Sequence, residues 1–234
     1  MNICVIPTRG GSKRIKNKNI KDFCGKPIIK YSIDAAIKSE SFDEVIVSTD
    51  DEEIAELALK SGANVPSLRP KHLSDDHTGL IPVIKHAIES LCENDFEIKS
   101  VCCLLATCPF VSKDIILEVM RKYDSSDCDY CFTASEFDYP IERAFTLSKS
   151  NNVKMISPES YKLRSQDCLK TFHDTGMLYW GRKNAWLQEV QIFSDNSTFY
   201  KLPRELSIDI DDMDDWHHAE LMYDFLSSIK PKNK

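Results

Sequence analysis

The stretch "NICVIPTRGGSKRIKNKN" (residues 2–19) changes character at Pro7. Ahead of it stands a short β-rich apolar run, the pattern of a buried strand. Behind it come two glycines and a run of cations, five Lys or Arg within residues 6–19, although the whole chain carries a formal net charge of −7. In open α/β sheets, ligands sit beyond the carboxyl ends of the strands, and anions are held by glycine turns and helix N-terminal amides. The opening therefore predicts an α/β sheet with an anion, a polyphosphate, at its first turn.

Reading outward supports that architecture. "KPIIKYSIDAAIK" places Ile29, Ile33, Ala36 and Ile37 at helical spacing. "EVIVSTD" reads as a second buried strand, and Asp50 to Glu53 then put acids in a first helical turn, where the helix dipole favours them. That helix runs to Gly62, a C-cap residue type. "ANVPSL" predicts a third strand, "LIPVIKHAIESL" a helix, "IKSVCCLLA" a central parallel strand, and "SKDIILEVMRKY" a helix capped by Ser112. Five such alternations predict a parallel sheet with helices on both faces. The pattern weakens over residues 136–171, read as an inserted segment of short strands and turns within one 1–234 domain. It resumes with "GMLYWG", "KNAWLQEV", "FYKLP" and "LSIDI", expected as strand, helix, strand and strand. An amphipathic helix bearing Trp216, Ala219, Tyr223 and Leu226 on one face closes the chain.

Composition narrows the function. An acidic balance argues against nucleic acid as the main partner. No apolar run approaches the roughly 20 residues a bilayer span needs, so no membrane partner is expected. Nine cysteines behind an N-terminus without a secretory pattern predict a reducing, cytoplasmic setting. "CDYC" (Cys128, Cys131) has zinc-like spacing but no second pair, and reads as buried strand cysteines. No Ser/His/Asp or Cys/His order suggests a nucleophilic triad.

Charge is uneven along the chain. Residues 1–30 hold eight cations against one acid, whereas residues 207–224 hold seven acids and no Lys or Arg. At the first pole, Gly10 and Gly11 let the backbone approach oxygen atoms, Ser12 adds a hydroxyl, and Arg9 and Lys13 add charge. The pattern is neither G-x-G-x-x-G nor a Walker loop, so a dinucleotide site and a P-loop are disfavoured. At the second pole, Asp209 and Asp211, two apart on the expected strand, would share a face and could seat Mg²⁺, which takes its remaining oxygens from phosphate and water. Asp212, Asp214 and Asp215 read as a cap on the last helix. A basic surface turn and a solvated acidic face remain the competing readings of these two runs.

"IPTRGGSKRIKNKNIKDFCGKPII", "FDEVIVSTDDEEIAELALKSGANVPSLRP", "LLATCPF", "HDTG" and "SIDIDDMDDW" together resemble the CMP-sugar-acid synthetases, a cytidylyltransferase family, over nearly the whole chain and in family order. Within that family the segments "GGSKRI", "KNIKDFCGKP", "ATCPFVS" and "FHDTG…YWG" are most similar to the branch that activates pseudaminic acid. The resemblance implies a three-layer α/β/α, Rossmann-like nucleotidyltransferase fold. It places Arg9, Ser12 and Asn19, with Lys18 beside Asn19, at the triphosphate of CTP, Arg69 at the cytosine, and Asp209 and Asp211 at the metal. Arg164 and Gln166, in "LRSQD", fall in the segment that reaches a sugar site, often of the neighbouring subunit. A homodimer, with residues 136–171 as its dimerisation segment, is therefore expected.

The implied reaction is attack of the anomeric hydroxyl of a nine-carbon 2-keto sugar acid on the α-phosphorus of CTP, releasing pyrophosphate. Mg²⁺ would be the cofactor, Arg9 and Lys13 would neutralise the leaving group, and Asp211 is a candidate to assist proton loss. Where sialic acid synthetases carry Gln-Pro-Thr-Ser-Pro this chain has "LATCP", and where they carry Asn-Gly it has Thr175-Gly176 behind His173-Asp174. Both differences lie at the sugar end, match the pseudaminic branch and count against N-acetylneuraminate; a cytidylyltransferase for legionaminate, neuraminate or a related eight-carbon acid is the runner-up among enzymes. A nucleotide-sugar glycosyltransferase, which also uses a D-x-D pair, and a nucleotide-binding regulator are the alternatives from other classes.

Overall fold

The computed structural model describes residues 1–92 and 97–229. Its strands are β1 (Asn2–Pro7), β2 (Asp22–Phe23), β3 (Lys26–Pro27), β4 (Glu44–Ser48), β5 (Ser100–Leu104), β6 (Tyr130–Glu136), β7 (Phe145–Leu147), β8 (Val153–Met155), β9 (Phe172–Arg182) and β10 (Ser197–Lys201). The α-helices are α1 (Ile29–Ser39), α2 (Glu52–Lys60), α3 (Leu80–Cys92), α4 (Lys113–Asp124), α5 (Lys183–Leu187) and α6 (Met213–Ile229). A six-stranded sheet has the order β10-β6-β9-β5-β1-β4. β1 pairs in parallel with β4 and β5, β10 in parallel with β6, and β9 runs antiparallel to both β5 and β6.

The period of two along each strand builds the three layers. On β1, Cys4 and Ile6 pack with residues of α1, α2, α4 and α6, whereas Ile3 and Val5 pack with residues of α3 and α5. Cys102 and Leu104 on β5 face the first group, Val101 and Cys103 the second. Strands buried on both faces read as unbroken apolar runs, which is why β1 and β5 were legible. Cys128 and Cys131 are both free and buried.

One aromatic cluster joins the two ends of the chain. Phe23, at the turn that follows the cation loop, meets Trp216 edge to face at 5.4 Å, Tyr31 at 5.7 Å and Tyr223 at 5.6 Å. Such pairs contribute about 0.5–1.5 kcal/mol each beyond their buried area. The cluster clamps the exit of the cation loop against the start of α6, so two segments nearly 200 residues apart share one end of the sheet.

Two expected strands are absent. "ANVPSL" forms only a single bridge, Asn64 to Ile46, because Pro66 has no N–H to extend a ladder. "LSIDI" is irregular: a 3-10 turn over Arg204–Leu206 leads into a segment whose backbone bonds go to side chains, Ile210 O accepting from Lys18 and Asp211 N–H donating to Asp215. Asp209 and Asp211 therefore sit on a crossing loop rather than on a strand. The predicted helix at "KNAWLQEV" is the short α5. The 136–171 segment holds the two-stranded β7–β8 sheet and several 3-10 turns.

Candidate active site

The loop after β1 is held open by its own side chains. Asn19 is buried, and its Nδ2 donates to Arg9 O at 3.0 Å, while Ser12 N–H closes a turn onto Gly10 O at 3.0 Å. Gly10 is required for a reason other than ligand approach. A Cβ there would stand 2.4 Å from Asp51 Oδ2, and Asp51 is the N-cap of α2, accepting from Ile54 N–H at 3.0 Å. Gly10 N–H is donated to Asp50 Oδ1 at 3.2 Å. Gly11 faces open space.

Arg9, Ser12, Lys13, Lys18, Asn19 and Arg69 line one cavity of about 280 Å³, which Asp211 borders from α6's end of the sheet. The connection across the sequence is direct: Arg14 Nη2 pairs with Asp211 Oδ1 at 2.7 Å, and Lys18 Nζ donates to Ile210 O at 2.6 Å. Burial pulls the Lys18 ammonium below its ordinary value, and the nearby Asp211 and Asp209 oppose that shift.

Arg69 lines the same cavity but spends its guanidinium on protein. Nη1 donates to Ser48 O at 3.0 Å, Nη2 to Thr8 O at 2.5 Å, and Nε to Ser74 Oγ at 3.0 Å. Only 5% exposed, it ties the ends of β1 and β4 to the loop that follows it. That loop turns two acids toward the cations. Asp76 Oδ1 pairs with Arg9 at 2.7 Å, its Oδ2 pairs with Lys13, and Arg9 also donates to Asp75 O at 2.7 Å.

Of the three acids expected to cap the last helix, Asp212 and Asp215 do so through their side chains and Asp214 does not. Asp212 Oδ1 accepts from the N–H groups of Asp214 and Asp215, and Asp215 Oδ2 accepts from those of Asp211 and Asp212. This reciprocal arrangement is a capping box at the start of α6. Asp209 makes no hydrogen bond or ion pair among the described residues. Its carboxyl is pushed above the usual carboxylate range, first by the protein packed around it and then by the charge of Asp211. Two crowded carboxylates offering only oxygen suit a hard divalent cation. The described residues contain no group of three or more His, Cys, Asp or Glu placed to hold a metal, so phosphate and water would have to complete its shell.

A third feature was not legible in sequence. The β6–β9 register slips between Phe132 and Ala134, and Gly176 sits at φ +59° in the slip. A Cβ on Gly176 would lie 3.5 Å from the Asp209 carboxyl, and Gly176 O accepts from Cys108 Sγ at 3.5 Å. The slip turns Asp174 beside Tyr179, and both line a second, mostly apolar cavity of about 430 Å³ with Ile81, Pro82 and Phe193. Gly79 and Leu80 border both cavities.

Arg164 and Gln166 are not brought to these cavities; both are exposed around the 3-10 turn Ser165–Asp167 of the insert. Arg14 and Asp76 line the first cavity and Asp174 the second, and the sequence reading gave none of the three a role. For Asp75-Asp76 the available signal was a pair of acids in an otherwise turn-rich loop.

A family model described as cytidylyltransferase matches residues 3–231. Pseudaminic acid cytidylyltransferase of Campylobacter jejuni is 48% identical over 95% of this chain and 96% of its own length. N-acylneuraminate cytidylyltransferase of Streptococcus agalactiae is 32% identical over 95% of this chain and 54% of its own. Among solved structures, CMP:2-keto-3-deoxy-manno-octonic acid synthetase complexed with CTP superposes with a TM-score of 0.70 at 14% identity, covering 96% of this chain and 99% of that one. The chain belongs to the cytidylyltransferase family, and it is a nucleotidyltransferase. The glycosyltransferase and regulator readings are set aside by that membership.

Proposed function

We propose that this enzyme transfers CMP from CTP to the anomeric hydroxyl of pseudaminic acid, releasing pyrophosphate. The observation that carries the reading is the meeting of the two charge poles, Arg14 on Asp211 and Lys18 on Ile210 O, at one cavity. The substrate is supported by the 48% identical relative and by the Thr175-Gly176 turn at the sugar end.

In the forward step the sugar oxygen forms a bond to the α-phosphorus as the bond to pyrophosphate breaks. The barrier is one of placement and charge, because anionic oxygens must be crowded together. Arg9 and Lys13 neutralise the pyrophosphate; Ser12, Gly10, Gly11, Lys18 and Asn19 shape or contact the triphosphate seat. Arg69 fixes that seat to the edge where the cytosine would lie. Asp209 and Asp211 would hold Mg²⁺, which supplies charge stabilisation and orientation of phosphate oxygens. Asp211 would assist the anomeric hydroxyl in losing its proton. The cavity lined by Asp174 and Tyr179 adjoins the nucleotide cavity and suits the sugar.

We further read the enzyme as a homodimer. The insert leaves Tyr139, Phe145, Leu147, Val153, Tyr161 and Leu169 well exposed, a patch that a second subunit would cover. Arg164 and Gln166 on that insert would then reach the partner's sugar. A pyrophosphate-release assay with CTP, UTP, ATP and GTP against a panel of sugar acids tests the assignment; equal use of UTP overturns it.

A further inference from the structure

Every cation that the proposed function gives to the leaving group already holds a protein anion. Asp76 Oδ1 pairs with Arg9 Nη1 at 2.7 Å and its Oδ2 with Lys13 Nζ, so one carboxylate bridges the two. Two cations bridged by the two oxygens of one carboxylate could equally be bridged by two oxygens of one phosphate. The side chain is 35% exposed, and apart from Arg9 and Lys13 no group among the described residues bonds to it. The neighbouring acid behaves differently. Asp75 Oδ1 accepts from His77 N–H at 2.9 Å and from Thr78 N–H and Oγ1 at 2.7 Å each, so it shapes the loop from within. The loop is also anchored at its start, where Ser74 Oγ accepts from Arg69 Nε. An internally bonded loop thus presents to these cations one carboxylate whose only bonds are to them.

We infer that Asp76 is an exchange counter-ion: it holds Arg9 and Lys13 in place, yields them to the triphosphate on binding, and competes for them again as pyrophosphate leaves. The inference rests on the reading of Arg9 and Lys13 as the phosphate seat. The exchange has a physical rationale. Two uncompensated cations behind a glycine turn would repel each other and bind any polyanion; a tethered carboxylate limits both effects. Because the pair is solvent-exposed, each contact has only modest strength, so the exchange stays reversible. Lys13 and then Arg9 hold the Asp76 carboxyl below its usual range, so the counter-ion is charged throughout the neutral range.

The test is calorimetric titration of inorganic pyrophosphate into the full-length enzyme and its Asp76→Asn, Asp76→Glu and Arg9→Ala variants. Asp76→Asn should bind pyrophosphate about three- to tenfold tighter at low salt, a gap that narrows as ionic strength rises. Pyrophosphate should also inhibit its turnover at correspondingly lower concentration, with the KM for CTP reduced. Asp76→Glu should stay near wild type. Equal or weaker pyrophosphate binding by Asp76→Asn, with Arg9→Ala weakened as expected, overturns the exchange and leaves the phosphate seat standing. Unchanged binding by Arg9→Ala overturns the seat itself, and the exchange with it.

Discussion

Tyr179 donates its hydroxyl to Asp174 Oδ2 at 2.6 Å, although the two stand five residues apart on one strand. In a regular strand an odd separation puts side chains on opposite faces. The register slip at Thr133 and the left-handed Gly176 bring them to the same side. The slip also carries Gly176 against the Asp209 carboxyl, so one irregularity sets the surroundings of both acids.

Tyr179→Phe tests that arrangement. Removing a hydrogen bond to a half-buried carboxylate should cost about 1–2 kcal/mol, read as a lower urea midpoint with unchanged slope. The KM for the sugar acid should rise more than that for CTP, since Asp174 lines the cavity proposed for the sugar and not the one proposed for the nucleotide. An equal rise in both would place Asp174 elsewhere in the cycle.

The aspartate run gives a paired prediction. Asp209→Asn should abolish most activity, while Asp214→Asn, whose carboxylate caps nothing, should leave the rate nearly unchanged. Asp212→Ala should cost about 1 kcal/mol of stability through loss of the capping box. Steady-state rates and thermal melts of the three variants separate these roles. Similar rates for Asp209→Asn and Asp214→Asn would break the division.

Asp209 also makes a stability prediction. Its folded carboxyl titrates above the unfolded value, so the folded protein holds the extra proton between the two. Stability contributed by this group is therefore greatest at low pH and falls as pH rises through that window. Without divalent ions, Asp209→Asn should melt at or above the wild-type temperature at pH 7 and lack the Mg²⁺-dependent rise expected of the wild type. A destabilised variant would mean that Asp209 serves the fold.

Much of this was readable in advance because the signals were local. β1, β4 and β5 are unbroken apolar runs, α2 and α4 open on Asp51 and Ser112, and both N-caps accept the expected backbone N–H. "LSIDI" misled because alternation in sequence says nothing about whether a neighbouring strand exists; its backbone found Lys18 and Asp215 instead. The Gly176 slip and the Asp76 bridge depend on contacts across 42 and 63 residues, which no local pattern encodes.

The assembly prediction follows from the insert. Sedimentation should return a dimer, and replacing Phe145 and Leu147 with Ser should shift it toward monomer with loss of sugar-acid turnover. CTP binding, confined to one subunit's cavity, should persist. A fully active monomer on dilution would argue against shared sites.

The last prediction concerns the sugar. Where sialic acid synthetases place a Gln, this chain has Leu105, half-buried and packed in the core, and where they place Asn-Gly it has Thr175-Gly176. Thr175 is buried, its hydroxyl donated to Thr133, so it has no donor left for a ligand. The polar contacts left to the second cavity come from Asp174, Tyr179 and Glu189, and Glu189 is paired with Lys85. The mostly apolar wall of this cavity favours a sugar bearing methyl groups over one with a fully hydroxylated tail. An unpaired polar group in such a wall costs on the order of 1–3 kcal/mol, about 5- to 150-fold in specificity. Measured at saturating CTP and Mg²⁺, kcat/KM should be highest for pseudaminic acid and clearly lower for N-acetylneuraminic acid, with legionaminic acid as the third comparison. A preference for either competitor would overturn the substrate while leaving the cytidylyl transfer in place.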